Sequence, residues 1–263
     1  MPKQKGYFKF SGTLQGKCYY QLNGKYVVRK AVGPSRERIN NDPAFVNVKS
    51  NNQEFSAASK LSKAIRHGLG NNANTFKDSY MAGRLTGCCR KIIQKGSGHL
   101  GQREANLHNN PNELVGFQLN KTLVFNQLFT SKPIITTNNT RTITTVSIPK
   151  STNNSKRIPN EVTHFQLTAA LSWVSNLQWQ SHINSYSPAH PEQNALGITK
   201  QTQPLICKIE HQSLNIPLHI PNTQSIPADV AITVWLGIRY LQINNNKIIP
   251  YQSAKAMECI AVL

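Results

Sequence analysis

The spacing of apolar residues between residues 42 and 95 predicts two amphipathic helices joined by a short polar link. Asp42-Pro43 is typical of a helix start, with Asp as the N-cap and Pro at the first helical position. Apolar residues then repeat at helical spacing and are expected to share one buried face. They are Val48, Phe55, Ala58, Leu61, Ile65 and Leu69. Gly70, followed by two asparagines, is expected to end this helix.

A second helix is predicted from about residue 74 to residue 95. Its apolar face consists of Met81, Leu85, Cys88, Cys89, Ile92 and Ile93. Phe76 and Tyr80 are expected on the opposite side. Gly83 and Gly87 interrupt the pattern, each at a cost of roughly 1 kcal/mol relative to Ala, and indicate a close approach between helices.

Residues 7–30 have the pattern of short strands. Tyr7-Phe8-Lys9-Phe10 alternates, and Asn23-Gly24 is the strongest short-range signal for a type I′ hairpin. Because a lone hairpin is marginal in water, we expect it to pack on the helices, on the C-terminal sheet or on a neighbouring subunit. In the last case it would be an assembly arm. Residues 31–41 are predicted to form a linker.

From residue 114 onward, short apolar segments separated by Asn, Pro, Ser and Thr are typical of a β-sandwich. The predicted strands are 114–119, 122–129, 142–148, 163–174, 177–186, 205–210, 214–220, 230–243, 247–251 and 257–262. Residues 136–145 are expected to be a polar loop, residues 188–204 an irregular segment, and residues 244–246 a hairpin turn. The three tryptophans are interpreted as core anchors.

These patterns predict an α+β fold in three parts. Residues 1–40 form an N-terminal β-hairpin or assembly arm with its linker, residues 41–106 a basic helical hairpin, and residues 107–263 an antiparallel β-sandwich. No run of about 20 apolar residues and no signal-peptide core is present, so no membrane partner is expected. The five cysteines lack paired Cys-x-x-Cys spacing and are interpreted as reduced, which favours the cytoplasm, including the interior of a virus-like or tubular particle.

The charge is large and unevenly distributed. The 263 residues include 30 Lys and Arg against 11 Asp and Glu, a net charge of +19. Residues 1–106 hold 19 of the cations and 5 of the carboxylates. Such a surface requires an anionic partner, of which nucleic acid is the commonest and anionic membrane and acidic protein are the others. The 28 Asn and 18 Gln suit a surface that meets copies of itself, with composition bias as the other interpretation.

The basic helices contain the candidate binding residues. Lys77, Arg84 and Lys91 are seven residues apart and are expected to lie on one line of the second helix. Cations beside aromatic rings can follow a phosphate backbone and stack a base, whereas a solvated helix face is the plainer interpretation. The predicted polyanion-binding residues are Arg36, Arg38, Lys60, Lys63, Arg66, Lys77, Tyr80, Arg84, Lys91, Lys95 and Arg103. Replacing Lys77, Arg84 and Lys91 together by Gln is expected to leave folding unchanged.

Catalytic chemistry has little support in the sequence. The carboxylates are scattered, the eight histidines lack His-Glu-x-x-His spacing, and Cys207 with His211 is a weak nucleophile signal. Residues 96–101 match Gly-x-Gly-x-x-Gly, but a predicted helix precedes them where a dinucleotide site needs a strand. We therefore expect no catalytic residues, no metal and no cofactor.

The order of several short motifs resembles that of an uncharacterised family of small basic Bacteroidetes proteins. The shared motifs are Met1-Pro2-Lys3-Gln4-Lys5-Gly6, Asn23-Gly24, Asn40-Asn41-Asp42-Pro43-Ala44-Phe45, Asn52-Gln53-Glu54-Phe55, Arg84-Leu85 and Gly101-Gln102-Arg103. The likeness covers residues 1–106 and is weak beyond them, and Cys88-Cys89 and residues 96–101 depart from it. The family has no established activity, so the resemblance implies no catalytic residues. It implies an invariant N-terminal working part and a variable, outward-facing β part.

The predicted function is therefore structural and non-enzymatic. Many copies are expected to assemble into a helical tube or filament, or a capsid-like array, with the basic helices against RNA or DNA without sequence specificity. Two alternatives stay open. One is a phage-tail-like tube free of nucleic acid, and the other is a monomeric β-sandwich binding module.

Overall fold

The computed structural model describes most of the chain in two units. The described residues are 2–31, 33–153, 155–221, 225–245 and 247–263. An N-terminal unit consists of Met1–Lys49 and a C-terminal unit of Ser50–Leu263. None of the described helices is long and apolar enough to cross a membrane.

The N-terminal unit contains a three-stranded antiparallel sheet in the order β1 (Gly12–Leu14), β2 (Lys17–Leu22) and β3 (Lys25–Lys30). Asn23 and Gly24 join β2 to β3 with φ angles of 48° and 76°, the left-handed conformation that a type I′ turn requires. The hairpin predicted at this position is confirmed.

The strand predicted at residues 7–10 is wrong, because that segment is a loop. Its alternating pattern reflects exposed rings and not a half-buried strand. Before it, the backbone of Pro2 and Gln4 bonds to the outer edge of β3 through Val28 N and Tyr26 O. The sheet edge is therefore partly covered by the segment that leads into the loop.

The predicted linker at residues 31–41 is partly helical, Val32 lying outside the described residues. Helix α1 (Arg36–Asn41) begins after Ser35, whose hydroxyl accepts a hydrogen bond from the Arg38 N–H. Asp42 then caps a single 3₁₀ turn (Pro43–Phe45), which continues into helix α2 (Val46–Leu69). The start signal at Asp42-Pro43 is real, but it opens this short turn.

Helix α2 buries most of the predicted apolar face, since Ala58, Leu61, Ile65 and Leu69 are buried. Val48 and Phe55 are exposed, Phe55 to 52%, and these two assignments are wrong. The buried face has smaller side chains and includes Glu54, Ala57, Ala58, Leu61, Ala64, Ile65, Gly68 and Leu69. Small residues are selected here because the helix packs directly on a sheet, as the contacts of Gly68 show below.

The single helix predicted over residues 74–95 is two helices, α3 (Asn71–Phe76) and α4 (Met81–Gln94). Between them, the Asp78 carboxylate accepts hydrogen bonds from the backbone N–H groups of Tyr80 and Lys121 and from the Arg84 guanidinium. These bonds hold a non-helical turn. Phe76 is buried against Gly237, contrary to its predicted place on the polar side.

The rest of the C-terminal unit is mainly β-structure, with one helical turn, α5 (Phe125–Leu128), and 3₁₀ turns at Pro111–Glu113 and Pro191–Gln193. The strands are β4 (Ile134–Thr137), β5 (Ile143–Ile148), β6 (Ser151–Thr152), β7 (His164–Ser175), β8 (Leu177–Gln180), β9 (Ser185–Pro188), β10 (Leu196–Gln201), β11 (Leu205–Ile206), β12 (Glu210–His211), β13 (Leu214–His219), β14 (Val230–Asn244) and β15 (Lys247–Val262).

These strands build layers around one central antiparallel sheet. Its order is β10-β7-β14-β15, and β11 also pairs with β7. Alternate residues of β7 point to opposite layers. Ala170 and Val174 join a core with α2, α3 and α4, whereas Leu171 and Trp173 join a core with the sheet β13-β5-β4. The α+β fold with an antiparallel β-sandwich is therefore confirmed.

Several predicted β segments need correction. The strands predicted at 114–119 and 122–129 are wrong, because a 3₁₀ turn precedes a single bridge at Gln118 and the second segment contains α5. Strand β4 extends into the predicted polar loop at residues 136 and 137, and β10 occurs where an irregular segment was expected. The predicted turn at 244–246 includes Asn246, which lies outside the described residues, although Asn244 pairs with Lys247 across it. Trp173 and Trp235 are buried core residues, as predicted.

Candidate nucleic-acid interface

A side-chain clamp shapes the first loop of the N-terminal unit. Gln4 Nε2 donates to the carbonyl oxygens of Phe10 and Val27, each at 3.1 Å, and Gln4 Oε1 accepts from Phe10 N–H at 2.9 Å. Lys9 Nζ closes the loop by donating to the carbonyl oxygens of Gln4 and Gly6. The loop between these anchors carries Tyr7, which is 98% exposed, and Phe8, which is 77% exposed.

The loop and the sheet line a recess of about 660 Å³ that is open to solvent. Phe8, Phe10 and Tyr19 supply aromatic rings to its lining, and Phe10 meets Tyr19 edge to face with ring centroids 6.0 Å apart. Lys17 and Lys30 lie on the same lining. We call this feature the aromatic recess and define it by these five residues.

The cations of the recess oppose each other across the hairpin. Lys17 of β2 pairs directly with Lys30 of β3, and like charges placed opposite each other destabilise a strand pair. No carboxylate is available nearby in sequence, because the first 35 residues contain seven Lys and Arg and neither Asp nor Glu. The N-terminal unit as a whole holds ten Lys and Arg against two Asp and Glu.

Four of the eleven predicted binding residues have acidic partners within the chain. Arg38 pairs with Asp42 and its guanidinium lies 5.2 Å from the ring centre of Phe45. The other three pairs are Arg84 with Asp78, Lys95 with Glu113, and Arg103 with Glu54. Their charges are partly or wholly used in holding the fold.

Arg84, which lies on α4, has the most partners of these four cations. Its guanidinium donates to the Asp78 carboxylate at 2.7 Å and to the carbonyl oxygens of Gln118 and Leu119, and it lies 5.1 Å from the ring centre of Phe117. Burial alone would raise the pKa of Asp78, but its hydrogen bonds and the Arg84 charge outweigh that effect and lower the pKa. Arg84 is therefore not the neutral position for substitution that its place off the apolar face suggests.

Glu54 and Arg103 form a buried ion pair that joins α2 to the loop after α4. The Arg103 guanidinium donates to both carboxylate oxygens, at 2.8 and 2.7 Å, and the Gly101 N–H donates to Oε1 at 2.9 Å. Burial acts to raise the pKa of Glu54, but these hydrogen bonds and the charges of Arg103 and Arg90 prevail, and its pKa is lowered. Two motifs of the family resemblance thus meet in one structural contact.

The remaining predicted residues are distributed over the outer surface. Lys60 donates to Ser185 Oγ and to the Tyr186 carbonyl, which fixes it to β9. Arg36, Lys63 and Lys91 are exposed, and Tyr80 is 68% exposed.

Arg66 and Lys77 meet at a polar cavity of about 500 Å³, together with His67 and Asp78. Lys77 precedes α4, so the predicted line of Lys77, Arg84 and Lys91 along one helix does not exist. The break in the helix separates its first member, and the pairing of Arg84 removes its second.

Four thiols, those of Cys88, Cys89, Cys207 and Cys259, are held in environments that disfavour a thiolate. All five cysteines are free. Burial raises the pKa of Cys207 to about 11 and that of Cys88 to about 11, and raises those of Cys89 and Cys259 as well. His211 bonds to the Ile206 carbonyl. Within the described residues, no three His, Cys, Asp or Glu side chains form a group that could hold a metal ion.

Comparison with known proteins finds no matching family model, no matching curated protein and no matching solved structure.

The aromatic recess is absent from the binding residues predicted from sequence. Helical periodicity favoured residues 42–95, where Arg84 and Lys95 turn out to have acidic partners. The usable signal was compositional, since the first 35 residues combine six aromatic residues and seven cations without a carboxylate. That combination is typical of surfaces that bind nucleic acid.

Proposed function

We propose that this chain is a non-enzymatic structural protein that binds nucleic acid without sequence specificity and assembles into a tube, a filament or a capsid-like array. The observation that carries the proposal is unneutralised charge. Among the described residues, five of the 30 Lys and Arg lie within 4.0 Å of an Asp or Glu oxygen. A polyanion supplies the missing counter-charge, and release of its counterions favours binding.

The first experiment measures nucleic acid in the purified protein. We expect a high ratio of absorbance at 260 nm to that at 280 nm, which falls after nuclease treatment. Added RNA and DNA should bind with affinities that decline steeply with salt, with a slope of about −0.9 per duplex phosphate contacted and about −0.7 per single-strand phosphate. Protein that is free of nucleic acid and binds neither polymer at low salt would favour the phage-tail-like tube or the monomeric binding module.

Self-assembly has support of its own in the β14–β15 hairpin. The pairing of β14 with β7 ends at Leu241, opposite His164, whereas its pairing with β15 continues to Asn244. Ile243 and Ile248 pair directly on this extension, and both are exposed. A strand pair with exposed isoleucines, whose β14 edge has no strand partner beyond Leu241 among the described residues, suits addition to another subunit. The free cysteines are in keeping with the reducing cytoplasm as the place of assembly.

The second experiment tests that hairpin. We expect negative-stain microscopy and light scattering to show polymers of the native chain and smaller species of the Ile248→Lys variant. Ile183→Lys is the matched control, because Ile183 is also an exposed isoleucine but lies in the turn between β8 and β9. Equal effects of both substitutions would point to general loss of surface apolarity, and a monomeric native chain would contradict assembly.

A further inference from the structure

The aromatic recess has features that a flat basic surface lacks. Phe10 is held in place by the Gln4 clamp and by its ring contact with Tyr19, so these two rings are ordered before any ligand arrives. Rings fixed in advance lose little conformational entropy on binding.

We infer that the aromatic recess binds single-stranded nucleic acid, with an unpaired base stacked on its rings and the adjoining phosphates between Lys17 and Lys30. This inference rests on the proposed function and names its substrate class. A base within a duplex has both faces covered by its neighbours, whereas an unpaired base can leave the stack and place a face against a side chain. The volume of about 660 Å³ is ample for one base.

Besides rings that can stack a base, a single-strand site needs cations for the phosphates, and Lys17 and Lys30 supply them. Lys17 and Lys30 repel each other across the hairpin, and a phosphate between them converts that repulsion into two attractive contacts. Aromatic stacking and phosphate contacts together are the pattern by which proteins hold single strands without reading sequence.

An anionic membrane surface is the competing ligand for a cationic, aromatic site. Membrane anchoring requires rings that project into the lipid. Here Phe8 is 77% exposed, but its ring borders a concave recess together with Phe10 and Tyr19. The shape therefore favours a base, which enters the recess, and the membrane becomes an outcome of the test.

The test compares variants of Phe8 in the full chain. Phe8→Leu keeps an apolar side chain without a ring, and Phe8→Tyr keeps the ring. Binding is measured by fluorescence anisotropy with an oligothymidylate of about 15 nucleotides and with a duplex of similar length. We expect Phe8→Leu to weaken single-strand binding roughly tenfold, Phe8→Tyr to change it less than about twofold, and neither to alter duplex binding beyond about twofold. Because Phe8 is 77% exposed, both variants should fold normally, which circular dichroism checks.

Two controls and a salt titration complete the design. Leu14→Ala removes an exposed apolar side chain from the same sheet, and Phe55→Leu removes an exposed ring from the C-terminal unit, so both should bind the oligothymidylate as the native chain does. The double variant with Lys17→Gln and Lys30→Gln should make the salt dependence less steep by about 0.7 for each phosphate that the lysines no longer neutralise.

The outcomes separate this inference from the proposed function. If the native chain binds neither oligonucleotide, the proposed function fails. If it binds both, and Phe8→Leu binds the single strand as tightly as Phe8→Tyr, nucleic-acid binding stands and the recess is not its site. If Phe8→Leu impairs binding to phosphatidylserine vesicles but not to the oligothymidylate, the recess is a membrane site and the inference is overturned.

Discussion

At the scale of single residues, what surrounds a cation decides its role. Arg84 and Arg103 have carboxylate partners from other turns or loops, and each also donates to backbone carbonyls. Lys63 of α2 and Lys91 of α4 are exposed. None of these four cations belongs to an apolar face predicted from sequence, so sequence spacing does not distinguish them. Paired and exposed cations can be told apart only from the positions of Asp78 and Glu54 in the folded structure.

Glu54→Gln should destabilise the protein by about 3–5 kcal/mol, because it leaves the Arg103 guanidinium without its counter-charge in a largely buried site. Urea unfolding followed by circular dichroism measures the loss. Glu113→Gln is the matched control. Its partner Lys95 is mostly exposed, so removing that pair should cost about 1 kcal/mol or less.

The Glu54 contribution should also depend on pH in a defined direction. Its pKa in the folded chain is lowered from the ordinary value of 4.5. The stabilisation is therefore present above about pH 4.5 and is lost as pH falls through the lower, folded-state pKa. The difference in unfolding free energy between the native chain and Glu54→Gln should shrink on acidification. A difference that stays constant, or equals that of Glu113→Gln at neutral pH, would contradict the role given to this pair.

At the scale of elements, the packing of α2 on the central sheet depends on two glycines. A Cβ atom at Gly68 would lie 2.1 Å from Ser172 Oγ and 2.4 Å from the Leu196 carbonyl oxygen. One at Gly197 would lie 1.9 Å from the Gly68 carbonyl oxygen. The helix and strand β10 therefore meet backbone to backbone. Gly83 and Gly87, from which a close approach of helices was predicted, have no neighbour within 4 Å of such a Cβ among the described residues, so that expectation is wrong.

Alanine substitutions at these glycines should have opposite effects. Gly68→Ala should destabilise the protein by about 1–3 kcal/mol, because α2 must shift away from β10. Gly87→Ala, in an exposed helix interior, should stabilise it by about 1 kcal/mol, because Ala restricts the unfolded chain and favours the helix. Melting temperatures of the two variants, measured together, test the pair. A neutral Gly68→Ala would mean that α2 does not contact β10 this closely.

Local sequence signals predicted those elements whose cause is local. The Asn23-Gly24 turn depends on two residues that tolerate positive φ, and the long strands β7 and β14 are rich in apolar residues. Elements set by distant partners were missed. The break before α4 depends on Asp78 meeting Lys121, and β10 is a strand because it pairs with β7, although most of its residues are exposed.

The same reasoning applies to the candidate site. Net charge was readable from composition, and it correctly located an excess of cations in the first 106 residues. Helical spacing favoured α2 and α4, but Asp78 and Glu113 engage Arg84 and Lys95, and Glu54 of α2 engages Arg103 in the loop after α4. The recess depends on a fold-back of the chain, in which Gln4 bonds to Phe10 and Val27, and no periodicity describes such a contact.

At the scale of the whole molecule, charge and core are divided between different parts of the chain. Both hydrophobic cores consist of residues from Ala57 onward. The N-terminal unit holds a third of the Lys and Arg in less than a fifth of the length. The C-terminal unit retains 20 Lys and Arg against 9 Asp and Glu. Folding stability should therefore depend on the C-terminal unit, and polyanion binding should depend disproportionately on the N-terminal unit.

Deletion of the N-terminal unit tests this division. A chain of residues 50–263 begins within α2, ahead of its first buried residue, Glu54, and keeps both cores complete. We expect its unfolding free energy to differ from that of the full chain by about 1 kcal/mol or less, since it loses mainly exposed side chains. Its single-strand affinity should fall well below that of the full chain, by more than the Phe8→Leu substitution alone, because Lys17, Lys30 and the whole recess are removed.

A second truncated chain, which begins at Val46, separates the effect of losing the first turn of α2 from the effect of losing the recess. It restores the whole of α2 but none of the recess, so it should match residues 50–263 in nucleic-acid affinity. If it alone folds, the first turn of α2 is needed for stability. If neither chain unfolds cooperatively, the N-terminal unit contributes to folding in a way that core membership does not reveal. If both fold and bind single strands as tightly as the full chain, the cations of the C-terminal unit are sufficient, and the recess has another purpose.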